Sequence, residues 1–181
     1  YFDLLGMPPT PDEADQFLND KTESAYAQLV DRLLADQRLG ERMAVHWLDL
    51  VSYSETSGHQ RDNCREVSAY RDTVIDAFNE NMSYDQFVIE NLAGDLIPES
   101  SKRQKIASGY NRLLQTTQEG GAQAAEYTAI YQADRVRNFG VVWLGATTGC
   151  AQCHDHKFDP FTIKDFYSLA AFFADLQEKP V

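Results

Sequence analysis

Ala124-Ala125-Glu126-Tyr127-Thr128-Ala129-Ile130-Tyr131-Gln132-Ala133-Asp134-Arg135-Val136-Arg137-Asn138-Phe139-Gly140-Val141-Val142-Trp143-Leu144 runs on through Gly145 to Gly149 into Cys150-Ala151-Gln152-Cys153-His154. The pattern from Ala124 to Leu144 is that of one long helix, and its second half ends continuously apolar at Val141-Val142-Trp143-Leu144. Gly145 to Gly149 then delivers the chain into the cysteines. Downstream, Thr162 caps a last helix, Lys164 to Asp175, with Phe166, Leu169, Ala170 and Phe173 spaced to face inward.

Upstream the same grammar repeats. Gly6-Met7-Pro8-Pro9 is a turn. Thr10-Pro11-Asp12-Glu13 starts a helix, with Thr10 as N-cap, Pro11 in the first helical position and Glu13 closing a capping box; it runs to about Leu18. A second helix begins near Ser24 and carries Tyr26, Leu29, Val30, Leu33 and Leu34 on one face. A third spans about Leu39 to Val51, with Leu39, Met43, Trp47, Leu50 and Val51 as its apolar face and His46 on the same stripe. Ser54 to Arg65 is a polar loop holding His59 and Cys64. Further helices follow from about Glu66 to Phe78, from Ser83 through Asn91, and around Gln104 to Leu114. Gln115 to Gln123, with Gly120-Gly121, is a loop. Strong strand signals are absent. The expected class is mainly α: an irregular helical domain with long loops and a C-x-x-C-H segment near its C-terminal end.

Bulk properties agree with a folded domain. The chain has 181 residues, 43% hydrophobic and 24% charged, enough to bury a core. No apolar run reaches the roughly 20 residues that span a bilayer. It opens at Tyr1-Phe2-Asp3 without an initiator Met or signal-peptide zones. The expectation is one domain over residues 1–181, cut or processed from a larger protein. The net charge of −12 disfavours nucleic acid, because phosphate binding needs clustered Lys and Arg.

Cys150-Ala151-Gln152-Cys153-His154 is C-x-x-C-H, the attachment sequence of c-type haem. Two thiols separated by two residues reach the two vinyl groups on one edge of the macrocycle, and the next residue puts an imidazole beneath the iron. The expectation is one covalent haem c on Cys150 and Cys153, with His154 as proximal ligand. The apolar end of the long helix and the aromatics Phe158, Phe161, Phe166, Tyr167, Phe172 and Phe173 could wall the cofactor, although core packing is the ordinary job of each. Two rivals use the same residues. A zinc site from Cys150, Cys153, His154 and His156 is cramped, since a tetrahedral site normally joins two ligand pairs across a longer loop. A thioredoxin-like pair wants a βαβ setting that this chain lacks. With three cysteines in all, Cys64 is left over, either a small buried residue or an exposed thiol.

Several separate stretches, in order, also carry a family resemblance: Leu4 through Pro11, Leu29 through Leu34, Gly40-Glu41-Arg42, His46 through Leu50, Tyr70-Arg71-Asp72, Tyr84 through Phe87, Leu92 through Leu96, Asp134-Arg135-Val136 and Cys150 through Pro160. From Tyr1 to about Leu176 the chain resembles the planctomycete-type PSCyt family, second type, a domain of unknown function in large exported bacterial proteins. The resemblance implies a domain usually followed by a second uncharacterised one and often accompanied by a cytochrome-like one. Val45 and Ser52 stand where basic residues are common in that family.

The far face of the iron separates electron transfer from catalysis. His46 is the first candidate for the distal ligand and Met43, one turn earlier, the second; His59, Met7 and Met82 read as loop, turn or surface. His156 is open between a proximal hydrogen-bonding neighbour, a propionate partner and a surface residue, and Asp155 and Asp159 read as fixing the turn into the last helix. Three functions compete: an electron-transfer cytochrome domain, the leading one; a haem enzyme or sensor, peroxidase-like, with an open far side; and a non-catalytic binding module of a surface protein. The partner expected for the first is a redox protein or another cytochrome domain of the same parent chain. Covalent haem attachment would place the protein in the periplasm or at the cell surface.

Overall fold

A computed structural model of the chain describes residues 1–59 and 62–176. Among the described residues the fold is helical throughout, the one sheet-like feature being an isolated antiparallel bridge between Thr56 and Cys64. The helices are α1 (Phe2–Leu5), α2 (Pro11–Asn19), α3 (Ala25–Leu34), α4 (Arg38–Leu50), α5 (Ser68–Asn79), α6 (Tyr84–Ala93), α7 (Lys102–Ala107), α8 (Ala124–Leu144) and α9 (Ile163–Ala171). Tighter 3-10 turns occupy Gly94–Leu96, Ser108–Arg112 and Thr148–Gln152.

The capping arithmetic works as the residues dictate. Thr10 accepts from the Glu13 N–H at 3.3 Å while the Glu13 carboxylate takes the Thr10 N–H at 2.8 Å. The same reciprocal box opens α7 at Ser101 with Gln104, and α9 at Thr162 with Asp165. Helix α8 begins and ends where the periodicity puts it, stopped by Gly145 in the left-handed region. Two expectations shift. The helix around 104–114 is a short α7 followed by a 3-10 turn, and the last helix ends at Ala171 rather than Asp175.

The chain forms two compact units, each discontinuous in sequence: Tyr1–Asp49 with Ser68–Tyr110, and Leu50–Val67 with Asn111–Val181. In the first unit, Tyr70, Val74 and Ala77 of α5 are buried as the pattern requires. A polar chain threads this core: the Trp47 indole N–H donates to the Tyr70 hydroxyl at 3.0 Å, which donates to Asn91 Oδ1 at 2.8 Å. Burial pushes the Tyr70 phenol well above its ordinary value, so it stays a neutral donor.

Helix α4 buries its expected face only in part: Leu39 and Trp47 are half-buried and Val51, just past its end, is fully buried. Its buried residues are Gly40 and Ala44, whereas Met43, His46 and Leu50 are exposed. The reason is close approach: a Cβ on Gly40 would sit 2.5 Å from the Asn79 carboxamide, whose Oδ1 accepts the Gly40 N–H at 2.9 Å. Small residues let the helix seat deeply, so the larger ones flank the contact. In α3 the buried residue is Leu33, while Tyr26 and Leu34 of the expected face are exposed.

The second unit is built on α8. The loop from Ser54 to Arg65 is stitched to the non-helical stretch that precedes α8: the Thr116 N–H donates to the Ser57 carbonyl at 3.1 Å and Arg65 to the Leu114 carbonyl at 2.9 Å. The Tyr131 hydroxyl of α8 accepts the Thr117 N–H at 2.7 Å. The core of this unit is Ala133, Val136, Ala151 and Phe166, with Phe161, Leu169, Ala170 and Phe173 packed against it. The inward set expected for α9 is therefore the set observed.

Candidate functional site

The residue between the two motif cysteines fixes the site. Ala151 is 0% exposed, in the core with Val136 of α8 and Phe166 of α9. A tight turn whose middle is buried must direct its flanks outward, and Cys150 and Cys153 are both exposed, free thiols. The turn is the 3-10 segment Thr148–Gln152, in which the Cys150 carbonyl faces the N–H groups of both Cys153 and His154 at 3.4 Å.

Three anchors hold this turn. Thr148, 1% exposed, donates its hydroxyl to the Val136 carbonyl at 3.0 Å. A Cβ on Gly140 would lie 2.5 Å from Thr148 Oγ1 and 2.9 Å from the Ala146 carbonyl, so α8 lacks a side chain where the turn crosses it. Gln152 is gripped at both ends, its side chain by Arg137 and its carbonyl by the Tyr167 hydroxyl at 3.1 Å. The turn thus rests on α8 and α9 at once.

His154 is exposed, and its Nδ1 lies 2.8 Å from the Asp155 carbonyl. A carbonyl only accepts, so Nδ1 carries the proton of that bond, and in the neutral ring Nε2 keeps its lone pair. This is the tautomer that presents a ligand nitrogen to a metal. The Asp155 carboxylate accepts the Ile163 N–H at 2.9 Å, fixing the first turn of α9, as its position in the sequence suggested. His156 is not a surface residue: its side chain is 8% exposed. Its Nδ1 accepts the N–H groups of Asp159 at 2.8 Å and Phe158 at 3.3 Å. Those donors need a lone pair, so the 3.4 Å approach of the Asp159 carboxylate to the same nitrogen is a by-product of the turn rather than an ion pair.

The donor chemistry fits covalent haem: two adjacent unpaired thiols on one exposed turn, and an imidazole with Nε2 uncommitted. It does not fit zinc, since among the described residues no group of three or more His, Cys, Asp or Glu side chains is placed to hold a metal ion. The aromatics after the motif divide. Phe161, Phe166 and Phe173 belong to the core, whereas Phe158 and Phe172 are each 83% exposed and Tyr167 is exposed. Val141 and Leu144 at the end of α8 are exposed too.

The other candidates lie elsewhere in the chain. His46 and Met43 stand exposed on α4, in the first unit, and the motif belongs to the second. His59 is exposed in its loop, and Cys64 is an exposed thiol rather than a buried small residue. Sequence reading passed over Gly140 as a support of the motif and left the part played by His156 open. The signal for the first was there, because an isolated glycine inside a strong helical pattern marks a close contact; nothing local marks the second.

No helix among the described residues is long and apolar enough to cross a membrane. No curated protein and no solved structure matches the chain. A family model does, over residues 1–178, described as PSCyt2, protein of unknown function (DUF1549). That match takes in both units, the capped helices and the cysteine turn, and it agrees with the resemblance carried by the separate motifs; the chain belongs to the PSCyt2 family.

Proposed function

We propose that this chain is a mono-haem c-type cytochrome domain that carries electrons, with one haem joined by thioethers to Cys150 and Cys153 and its iron held by His154. The observation that carries the reading is the pairing of a buried Ala151 with exposed, unpaired thiols on either side of it. Each thioether forms by adding a thiol S–H across a vinyl double bond, so the step consumes no oxidant and releases nothing. The turn's part is to keep both sulfurs on one outward side, and the core's part is to keep the turn from rotating.

Bound haem supplies a one-electron couple at iron. The chain sets the conditions for it. The His154 Nδ1–H bond to the Asp155 carbonyl orients the ring and turns Nε2 outward as the ligand atom. For a further ligand to iron the sequence offers His46 first and Met43 second. The partner is a redox protein or another cytochrome domain of the parent chain, and the setting is the periplasm or cell surface, where haem is attached covalently.

The test is spectroscopic. Co-expressed with a haem-attachment system, reduced and exposed to carbon monoxide, the protein should keep sharp low-spin bands and reoxidise reversibly. Rapid carbon monoxide binding would reject the electron carrier in favour of an open-sided haem enzyme or sensor.

A further inference from the structure

We infer that His156 is a positioning residue: its ring locks the peptide plane whose carbonyl orients His154. This rests on the haem reading for its consequence at iron, although the lock itself is a property of the protein alone. One peptide unit joins the two histidines' hydrogen bonds. The C=O of Asp155 and the N–H of His156 belong to the same rigid plane, and no peptide bond among the described residues is cis, so they point in opposite directions. The C=O faces His154 Nδ1 at 2.8 Å. The N–H donates to the Phe161 carbonyl at 2.7 Å. Fixing one end of the plane therefore fixes the other.

What fixes Phe161 is the His156 side chain. Its Nδ1 gathers the N–H groups of Phe158 and Asp159, and the Phe161 N–H closes on the Asp159 carbonyl at 2.8 Å. The loop from His156 to Phe161 is thereby wound around one imidazole nitrogen. The ring also meets the Phe161 ring edge-on, centroids 6.5 Å apart at 86°. Phe161 packs on the core cluster that contains Ala151, so the lock and the cysteine turn share one foundation. The path runs from the His156 ring to the loop amides, to the Phe161 carbonyl, through the Asp155–His156 peptide, and out to His154 Nδ1–H. Removing the acceptor frees that peptide to rotate, and His154 loses the bond that holds its tautomer and direction.

Two substitutions separate this from simple packing. His156→Asn puts an amide oxygen close to where Nδ1 sits; His156→Leu fills similar space with no acceptor. In the apoprotein, ring-nitrogen NMR of His154 should show the Nδ1–H form in the unchanged protein and in H156N, and a mixture of both tautomers in H156L, with amide exchange of Phe158 and Asp159 accelerated only in the last. In the haem-loaded protein the midpoint potential should rise in H156L and return toward the starting value in H156N, because an imidazole that has lost its Nδ1–H hydrogen bond donates less charge to iron and stabilises the ferric state less. If both variants keep the His154 tautomer, or both lose it, the inference is overturned. Should H156L fail to fold, H156Q takes its place, with its amide reaching the Nε2 position instead: H156N holding while H156Q loses the bond supports the lock, and equal behaviour overturns it. A protein that never acquires haem defeats the proposed function, and the apoprotein measurement still decides the lock.

Discussion

Replacing Gly140 by Ala is the sharpest test of how the cysteine turn is held. In an exposed helix the change would stabilise α8 by about 1 kcal/mol, because Ala is the better helix former. Here the new methyl would lie 2.5 Å from Thr148 Oγ1, 2.6 Å from its Cγ2 and 2.9 Å from the Ala146 carbonyl. The last is backbone and cannot swing aside. Overpacking of this kind costs about 1–3 kcal/mol, and pushing Thr148 off the Val136 carbonyl adds about 1 kcal/mol for the lost hydrogen bond. After subtracting the helix gain, the net is destabilisation of about 1–3 kcal/mol, or a fall in Tm of roughly 3–10 °C for a chain of this size. Urea and thermal unfolding of G140A measure it. T148A removes both clashing side-chain atoms, so the double variant G140A/T148A should be less destabilised than the two single effects added, by about 1 kcal/mol or more. A G140A protein as stable as the parent, or strictly additive effects, would refute the packing argument.

Other expectations follow from single contacts. Thr162→Ala removes the cap of α9 and should cost about 1 kcal/mol in urea unfolding. Tyr70→Phe takes away a hydroxyl that joins Trp47 to Asn91 and should cost about 1–3 kcal/mol, seen in the same assay. The Arg38 guanidinium and backbone N–H hold the Asp36 carboxyl down to about 2, below its unfolded value of about 3.9. The folded state thus binds the proton less readily, so this contribution is present above pH 4 and is lost as the pH falls through about 2; R38A should bring the Asp36 titration, followed by NMR, back toward the ordinary range. His46→Ala in the haem-loaded protein should convert a low-spin spectrum to high-spin, and no change would remove His46 as the distal ligand.

Local chemistry carried much of the fold into the sequence. Thr10 with Glu13 and Thr162 with Asp165 write their helix starts in short-range hydrogen bonds, and α8 announces both of its ends. What the pattern could not give depends on contacts between distant residues. Met43 and Leu50 of α4 were misplaced because bulk was taken as the sign of burial, while the residues this helix buries are Gly40, in close contact with Asn79, and Ala44. The division into two discontinuous units has no linker to betray it. At the site, Cys150, Cys153 and His154 are named by spacing alone. Their support is not, because Ala151, Gly140 and His156 act through the core, a close approach and a loop, and these contacts lie outside the motif or depend on backbone direction.

The most direct test is the mass of the intact, denatured chain after co-expression with a haem-attachment system, beside C150A/C153A. The parent chain should have the mass of protein plus one haem, and the double variant that of protein alone. A parent chain of apoprotein mass with two reactive thiols at Cys150 and Cys153 would contradict the haem reading.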